Sequence, residues 1–143
     1  MNVTTSASAT AAVRTFVQQL SSTRRGARLA RLLAAAQFQA WQVSPSVAER
    51  GEQIVAELAA NAALHGHVQG RDFRLTLRFD PAAGRLRIEV TDARGDHLPA
   101  PAPVAPTDSE SGRGLLLVTA LADHWGTRPY PPSGKTVWAE CGP

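Results

Sequence analysis

Glu57, Asn61 and His65 stand four residues apart in Glu57-Leu58-Ala59-Ala60-Asn61-Ala62-Ala63-Leu64-His65-Gly66. Residues at i, i+4 and i+8 follow one side of a helix. A carboxylate and a carboxamide on one ridge suit two tasks beside a phosphate. Glu57 can orient a hydroxyl and take its proton. Asn61 can offer a carbonyl oxygen to Mg2+, an ion that keeps few protein ligands next to phosphate oxygens and water. The plainer reading is the polar edge of an amphipathic helix, and spacing alone leaves both open.

Two later segments add to this pair. In Asp92-Ala93-Arg94-Gly95 a carboxylate at a strand's end can accept from an exocyclic amino group, which favours adenine over guanine, and Gly95 lets backbone approach a ring. A turn aspartate in a glycine-containing loop has the same sequence. In Ser111-Gly112-Arg113-Gly114-Leu115 glycines opening a helix expose amides and a positive dipole end to phosphate, and Arg113 can add a charge-assisted bond. An ordinary loop-to-helix turn looks alike. No Gly-Lys-Ser/Thr ends the segment, so it is not a Walker A loop. No strand directly precedes it, as a Rossmann fingerprint requires. His65 and His67 flank Gly66 without convincing further metal ligands. Trp41, Trp125 and Trp138 read as core or edge packing rather than a base-stacking platform.

The elements that position these residues follow from periodicity. Residues 13–20 alternate weakly, as a strand, and Ser21-Ser22-Thr23 supplies a cap. Leu29, Leu32, Leu33, Ala36 and Ala40 recur at helical spacing up to Trp41, and Val43-Ser44-Pro45 breaks that helix. Ser46 with Glu49 reads as a capping box for a second helix, whose apolar stripe is Val47, Ile54, Leu58 and Ala62 and which ends near Gly66. Phe73, Leu75, Leu77 and Phe79, then Leu86, Ile88 and Val90, alternate with polar residues as a hairpin around Asp80-Pro81-Ala82-Ala83-Gly84. Asp92 falls just past the second of these strands. Residues 93–111 carry four prolines and no period, as a lid or a disordered stretch does. A helix over 114–124, with Leu117 and Leu121 inward, precedes short strands at 125–128 and 136–141.

The bulk numbers frame one domain. The 143 residues are 43% hydrophobic and 19% charged, enough for a single core. No apolar run approaches the ~18 residues of a membrane helix. The N-terminus has neither a basic start nor an apolar stretch, so residues 1–9 read as a disordered tail and residues 10–143 as the domain, in a cytoplasmic protein. The single cysteine, Cys141, forms no internal disulfide. Fourteen arginines and one lysine give a mild net charge of +3. Arg24, Arg25, Arg28 and Arg31 cluster, either as an anion-binding face or as a solvated helix face.

Taken jointly, the segments resemble the GHKL ATPase superfamily. Glu57-Leu58-x-x-Asn61-Ala62-x-x-His65-Gly66 is similar to its N box, Asp92 with Gly95 to its first glycine box, and Gly112-Arg113-Gly114-Leu115 to its second. Gly134-Lys135-Thr136-Val137-Trp138 resembles a final strand motif that carries an adenine-contacting threonine. The agreement runs over roughly residues 10–141, most similar to the branch of histidine-kinase-like domains related to anti-sigma-factor serine kinases. The resemblance implies the Bergerat fold, an α/β (α+β) two-layer sandwich with a mixed, mostly antiparallel sheet and helices on one face. It implies ATP and Mg2+ as cofactors, Glu57 as general base and Asn61 as the Mg2+ ligand. It also implies nucleotide contacts from His65, Asp92, Gly95, Gly112, Arg113, Gly114, Leu115 and, through water, Thr136, under a lid formed by residues 93–111. One departure is plain. The family's first glycine box is Asp-x-Gly-x-Gly, whereas here Gly95 follows Asp92 by three and no second glycine stands at the expected place.

The expected function is that of a small regulatory kinase. It would bind ATP and a sigma factor or other regulator, and phosphorylate a serine of an antagonist protein. The competing expectation is a non-catalytic ATP-binding module that works through protein contacts. The length leaves no room for the phosphoacceptor-histidine helix and dimerisation domain of a sensor kinase beside this domain. Homodimers are common in the family. Direct nucleic-acid binding would rest only on scattered arginines and is not expected, nor is a membrane role.

Overall fold

In the computed structural model of the chain, residues 12–64, 71–93 and 109–143 are described. They form β1 (Arg14–Ser21), α1 (Arg24–Ala40), α2 (Pro45–Leu64), β2 (Asp72–Asp80), β3 (Arg85–Asp92), α3 (Ser109–Leu121), β4 (His124–Tyr130) and β5 (Gly134–Cys141). The strands make one sheet in the order β1-β2-β3-β5-β4, and each pairing is antiparallel. The sheet expected to be mixed is therefore antiparallel throughout the described residues. No described helix is long and apolar enough to cross a membrane.

Strand alternation gives the sheet two unlike faces. Leu75, Leu77 and Phe79 of β2 stand opposite Val90, Ile88 and Leu86 of β3, which stand opposite Val137, Ala139 and Cys141 of β5. This face is buried under the helices. The other face carries Arg74, Arg78, Arg87, Glu89, Thr91, Thr136, Trp138 and Glu140. The result is the expected two-layer sandwich, with α2 lying over β3 and touching β5 and β2 on either side.

The helix layer is built from small residues. The expected stripe of α2 holds: Val47, Ile54, Leu58 and Ala62 are all buried. The stripe expected on α1 does not. Its buried residues are Gly26, Ala30, Ala34 and Phe38, while Leu29 and Leu32 are 44% and 67% exposed. A close α1–α2 approach selects side-chain size over hydrophobicity, so alanines take the inner face, Leu33 packs in only partly, and Leu29 and Leu32 stay outside. Gly51 serves the same contact. A Cβ there would lie 2.8 Å from Leu86 Cδ1 and 3.0 Å from Phe38 Cε2.

The helix ends are specified locally. Thr23 caps α1, its hydroxyl accepting from the Gly26 amide at 3.0 Å. At the other end the Gln42 amide donates to Gln39 O and the Val43 amide to Phe38 O, both at 3.0 Å, with Gln42 at φ 58. That is a Schellman closure with glutamine in the position glycine usually takes. The capping box expected at Ser46 and Glu49 is displaced. α2 starts at Pro45, and the Ser44 carbonyl accepts from the Ala48 amide at 2.8 Å. Proline's fixed φ suits the first helical position, which puts Ser46 inside the first turn.

One more boundary moves. α3 begins at Ser109 rather than near 114, so the end of the expected lid belongs to a helix. Its inward residues are Leu115 and Val118, not Leu117, which is 38% exposed; Leu121 packs in partly, as expected. At the far end from the α2 C-terminus, Arg50 donates to Leu121 O and Gly142 O, and Asp123 accepts from the Gly142 amide at 2.9 Å while pairing with Arg85 at 3.5 Å. These bonds tie α2, α3 and the end of β5 into one block.

Candidate functional site

The last turns of α2 present Glu57 and Asn61, both half-buried, to a cavity of about 570 Å3 between α2 and α1. Alanines at 27, 56, 60 and 63 line it, and their small size leaves the space. The opposite wall is cationic. Arg24, Arg28 and Arg31 recur at i, i+4 and i+7 and line the same cavity. None of the three is in an ion pair among the described residues. Of the cluster that composition left open between a solvated face and an anion-binding one, three members thus face the carboxylate–carboxamide ridge.

Asp92 is the final residue of β3 rather than the first beyond it. Its side chain lies on the helix-facing side of the sheet, directly across the strands from Lys135. The Lys135 ammonium lies 3.1 Å from Asp92 Oδ2 and 3.3 Å from Oδ1, and only 6% of the lysine side chain and 4% of the aspartate side chain reach solvent. Gly134 makes the approach possible. A Cβ on it would sit 2.5 Å from the Asp92 carbonyl oxygen. Asp92 and Gly134 line a separate cavity of about 340 Å3 with Arg74, Thr91 and Tyr130.

Gly51 of α2 lies against Leu86 at the start of β3, and both elements run on from there, in contact, toward Asn61 and Asp92. The Asn61 turn and the Asp92 strand end therefore share one end of the domain. They line different cavities among the described residues.

Thr136 is the residue expected to contact adenine through water. It is buried on the outer face of the sheet, its hydroxyl 2.8 Å from that of Thr91. The residue beside Asp92 is Lys135. Parity carried this signal: counting back in twos from inward Val137 reaches 135, not 136. Gly112, Arg113 and Gly114 lie inside the first turns of α3 rather than before it. Once Leu115 and Val118 seat the helix, extending it backward adds a hydrogen bond per residue, against about 1 kcal/mol per glycine. The amides free of intrahelical acceptors then precede Gly112. The Leu115 side chain is fully buried in the core. His65 and Gly95 lie outside the described residues, as does most of the expected lid.

Sequence reasoning missed the outer face. Glu89, nearly buried, accepts from Arg87 Nε at 2.7 Å, Arg78 at 3.1 Å and Arg128 at 3.4 Å. Arg87 also bonds Glu140 at 2.7 Å and lies 4.5 Å over the Trp138 ring. Burial alone would raise the Glu89 pKa. The Arg87 hydrogen bond and the charges of Arg87, Arg128 and Arg78 outweigh it and hold the carboxyl below its ordinary value. The three tryptophans pack as expected: Trp41 stacks on Phe79, Trp125 donates to Thr119, and Trp138 lies beneath Arg87.

An antiparallel sheet with helices on one face, and a helix carrying Glu57 and Asn61 toward a cationic cavity, defines a class that the sequence match makes explicit. The model of the histidine kinase-like ATPase domain matches residues 9–140, and the chain belongs to that family. Two solved structures share the fold. One contains the RsbU and RsbW domains of Rv1364c from Mycobacterium tuberculosis, with a TM-score of 0.67 and 16% identity over 90% of this chain. This chain spans only 32% of that one. The other is the SiaB-SiaC complex from Pseudomonas aeruginosa, with a TM-score of 0.66 and 12% identity over 96% of this chain and 94% of that one. No curated protein matches the chain.

Proposed function

We propose that this domain binds ATP with Mg2+ and transfers the γ-phosphoryl group to a serine of a partner protein, within a regulatory circuit of the anti-sigma type. The observation that carries this reading is the shared cavity of Glu57, Asn61 and three arginines. The residues fit the nucleotide. Asn61 offers a hard oxygen to Mg2+, and cationic side chains offset triphosphate charge. Glu57, one turn before Asn61, orients the incoming serine hydroxyl and takes its proton. The arginines also suit an acidic partner surface. The complex and multidomain contexts of the two structural neighbours agree with a protein partner.

The buried Asp92–Lys135 pair favours a second reading, an ATP-binding module that has kept the fold and works by contact alone. Calorimetry followed by a radiolabelled phosphotransfer assay with candidate antagonist proteins separates the two. The kinase reading expects Glu57→Gln to bind ATP nearly normally and to transfer phosphate at least about a hundredfold more slowly than wild type. Equal transfer by Glu57→Gln refutes the role of Glu57. Binding without any transfer by wild type selects the contact module.

A further inference from the structure

The nucleotide reading gives Asp92 one task, to accept the exocyclic amino group of adenine. In this chain that carboxylate already holds an ammonium. Lys135 Nζ lies 3.1 Å from one Asp92 oxygen and 3.3 Å from the other, with both side chains almost closed to water. We propose that Lys135 sets the affinity and base selectivity of the site by competing with the base for Asp92. The proposal rests on the adenine-nucleotide reading above.

The competition follows from bond strength and geometry. A cationic donor makes a stronger hydrogen bond to a carboxylate than a neutral amino group does. A base arriving at Asp92 must therefore displace a better partner. Thr136 lies on the opposite face of the sheet, its hydroxyl against that of Thr91, so the side chain beside Asp92 is the cationic Lys135. This neighbour cannot easily retreat along the backbone. Lys135 is pinned in register with Asp92, and Gly134 lies against the Asp92 carbonyl. Only the flexible four-carbon stem of Lys135 can move, swinging the ammonium off the carboxylate. Wild-type protein then holds nucleotide mainly through its phosphates and gains little from the amino group of the base.

The test uses the full chain and two probes that differ by that amino group alone: ATP and purine riboside triphosphate, each with Mg2+. Titration calorimetry of wild type should give affinities within about threefold of each other. Lys135→Met removes the ammonium and keeps the stem. A hydrogen bond to a charged acceptor corresponds to at least about tenfold in affinity, so the variant should bind ATP about tenfold tighter than wild type. Its affinity for purine riboside triphosphate should change little. Removing one partner of a buried pair destabilises, so thermal unfolding is followed alongside. If Lys135→Met does not fold, Lys135→Gln keeps a neutral donor to Asp92 and should show the same pattern at smaller size. ATP binding that is unchanged or weaker in the variant overturns the proposal. So does an equal gain for both probes, since a merely structural role of Lys135 moves both. Absence of binding by either probe to any variant overturns the adenine-nucleotide reading itself and the proposal with it.

Discussion

Glu89→Gln tests whether the charged outer face holds the sheet together. The Glu89 side chain is 9% exposed, and its partners Arg87, Arg78 and Arg128 are 25%, 46% and 50% exposed. Removing one partner of a fully buried ion pair costs about 3–5 kcal/mol, whereas an exposed pair contributes about 0–1 kcal/mol. Here the buried partner loses its charge while the three guanidiniums stay in reach of water. Arg87 also keeps Glu140 and the Trp138 ring. The cost should fall between the limits, at about 2 kcal/mol. At roughly 4 °C per kcal/mol for a domain of this size, Tm drops by about 8 °C. The effect has a pH signature. The folded pKa of Glu89 lies below its ordinary value. Its stabilisation is therefore complete above the unfolded pKa of about 4.3 and is lost as pH falls through the lower folded value. Denaturant midpoints of wild type and variant should stay a constant interval apart from about pH 7 to 5 and converge below. Equal midpoints near neutrality, or an interval that persists under acid, would refute the reasoning.

Asn61→Ala should abolish the Mg2+ dependence of nucleotide binding, read by calorimetry with and without the ion; binding that stays equally Mg2+-dependent would remove Asn61 as the metal ligand. Gln42→Gly should stabilise the domain by about 1 kcal/mol in urea unfolding, because glycine meets no Cβ penalty at φ 58. Burial pushes the Cys141 thiol up to about 11. A disulfide reagent at mildly alkaline pH should therefore label it only at the rate at which the domain opens, a rate that rises with urea; immediate labelling would contradict that burial.

The β2–β3 hairpin and the inner stripe of α2 were legible because large apolar residues there keep a single period. α1 was misread because the leucines catch the eye while Ala30 and Ala34, which make the contact, carry almost no hydrophobic signal. Glu57 and Asn61 could be placed on one ridge from spacing alone, and the cavity they line bears that placement out. That arginines of α1 face them depends on how two helices pack, which neither helix encodes by itself. The network around Glu89 was hidden for a related reason. Its arginines come from β2, β3 and β4, and the last of these approaches only through the strand order β3-β5-β4. The exchange of Thr136 for Lys135 was legible in principle, since inward Val137 fixes the parity of the strand.

The position of β5 bears on how the chain is made. β5 inserts between β3 and β4, although it follows both in the chain. The separation between Asp92 and Lys135, neighbours in the finished sheet, is 43 residues. During synthesis at roughly 5–20 residues per second, β3 presents an open edge for several seconds before its partner leaves the ribosome. Asp92 emerges early, and Lys135 reaches it only when this last strand docks. The nascent domain thus acquires its candidate base-reading carboxylate and the lysine that holds it in separate acts of folding, and the order of translation decides which comes first.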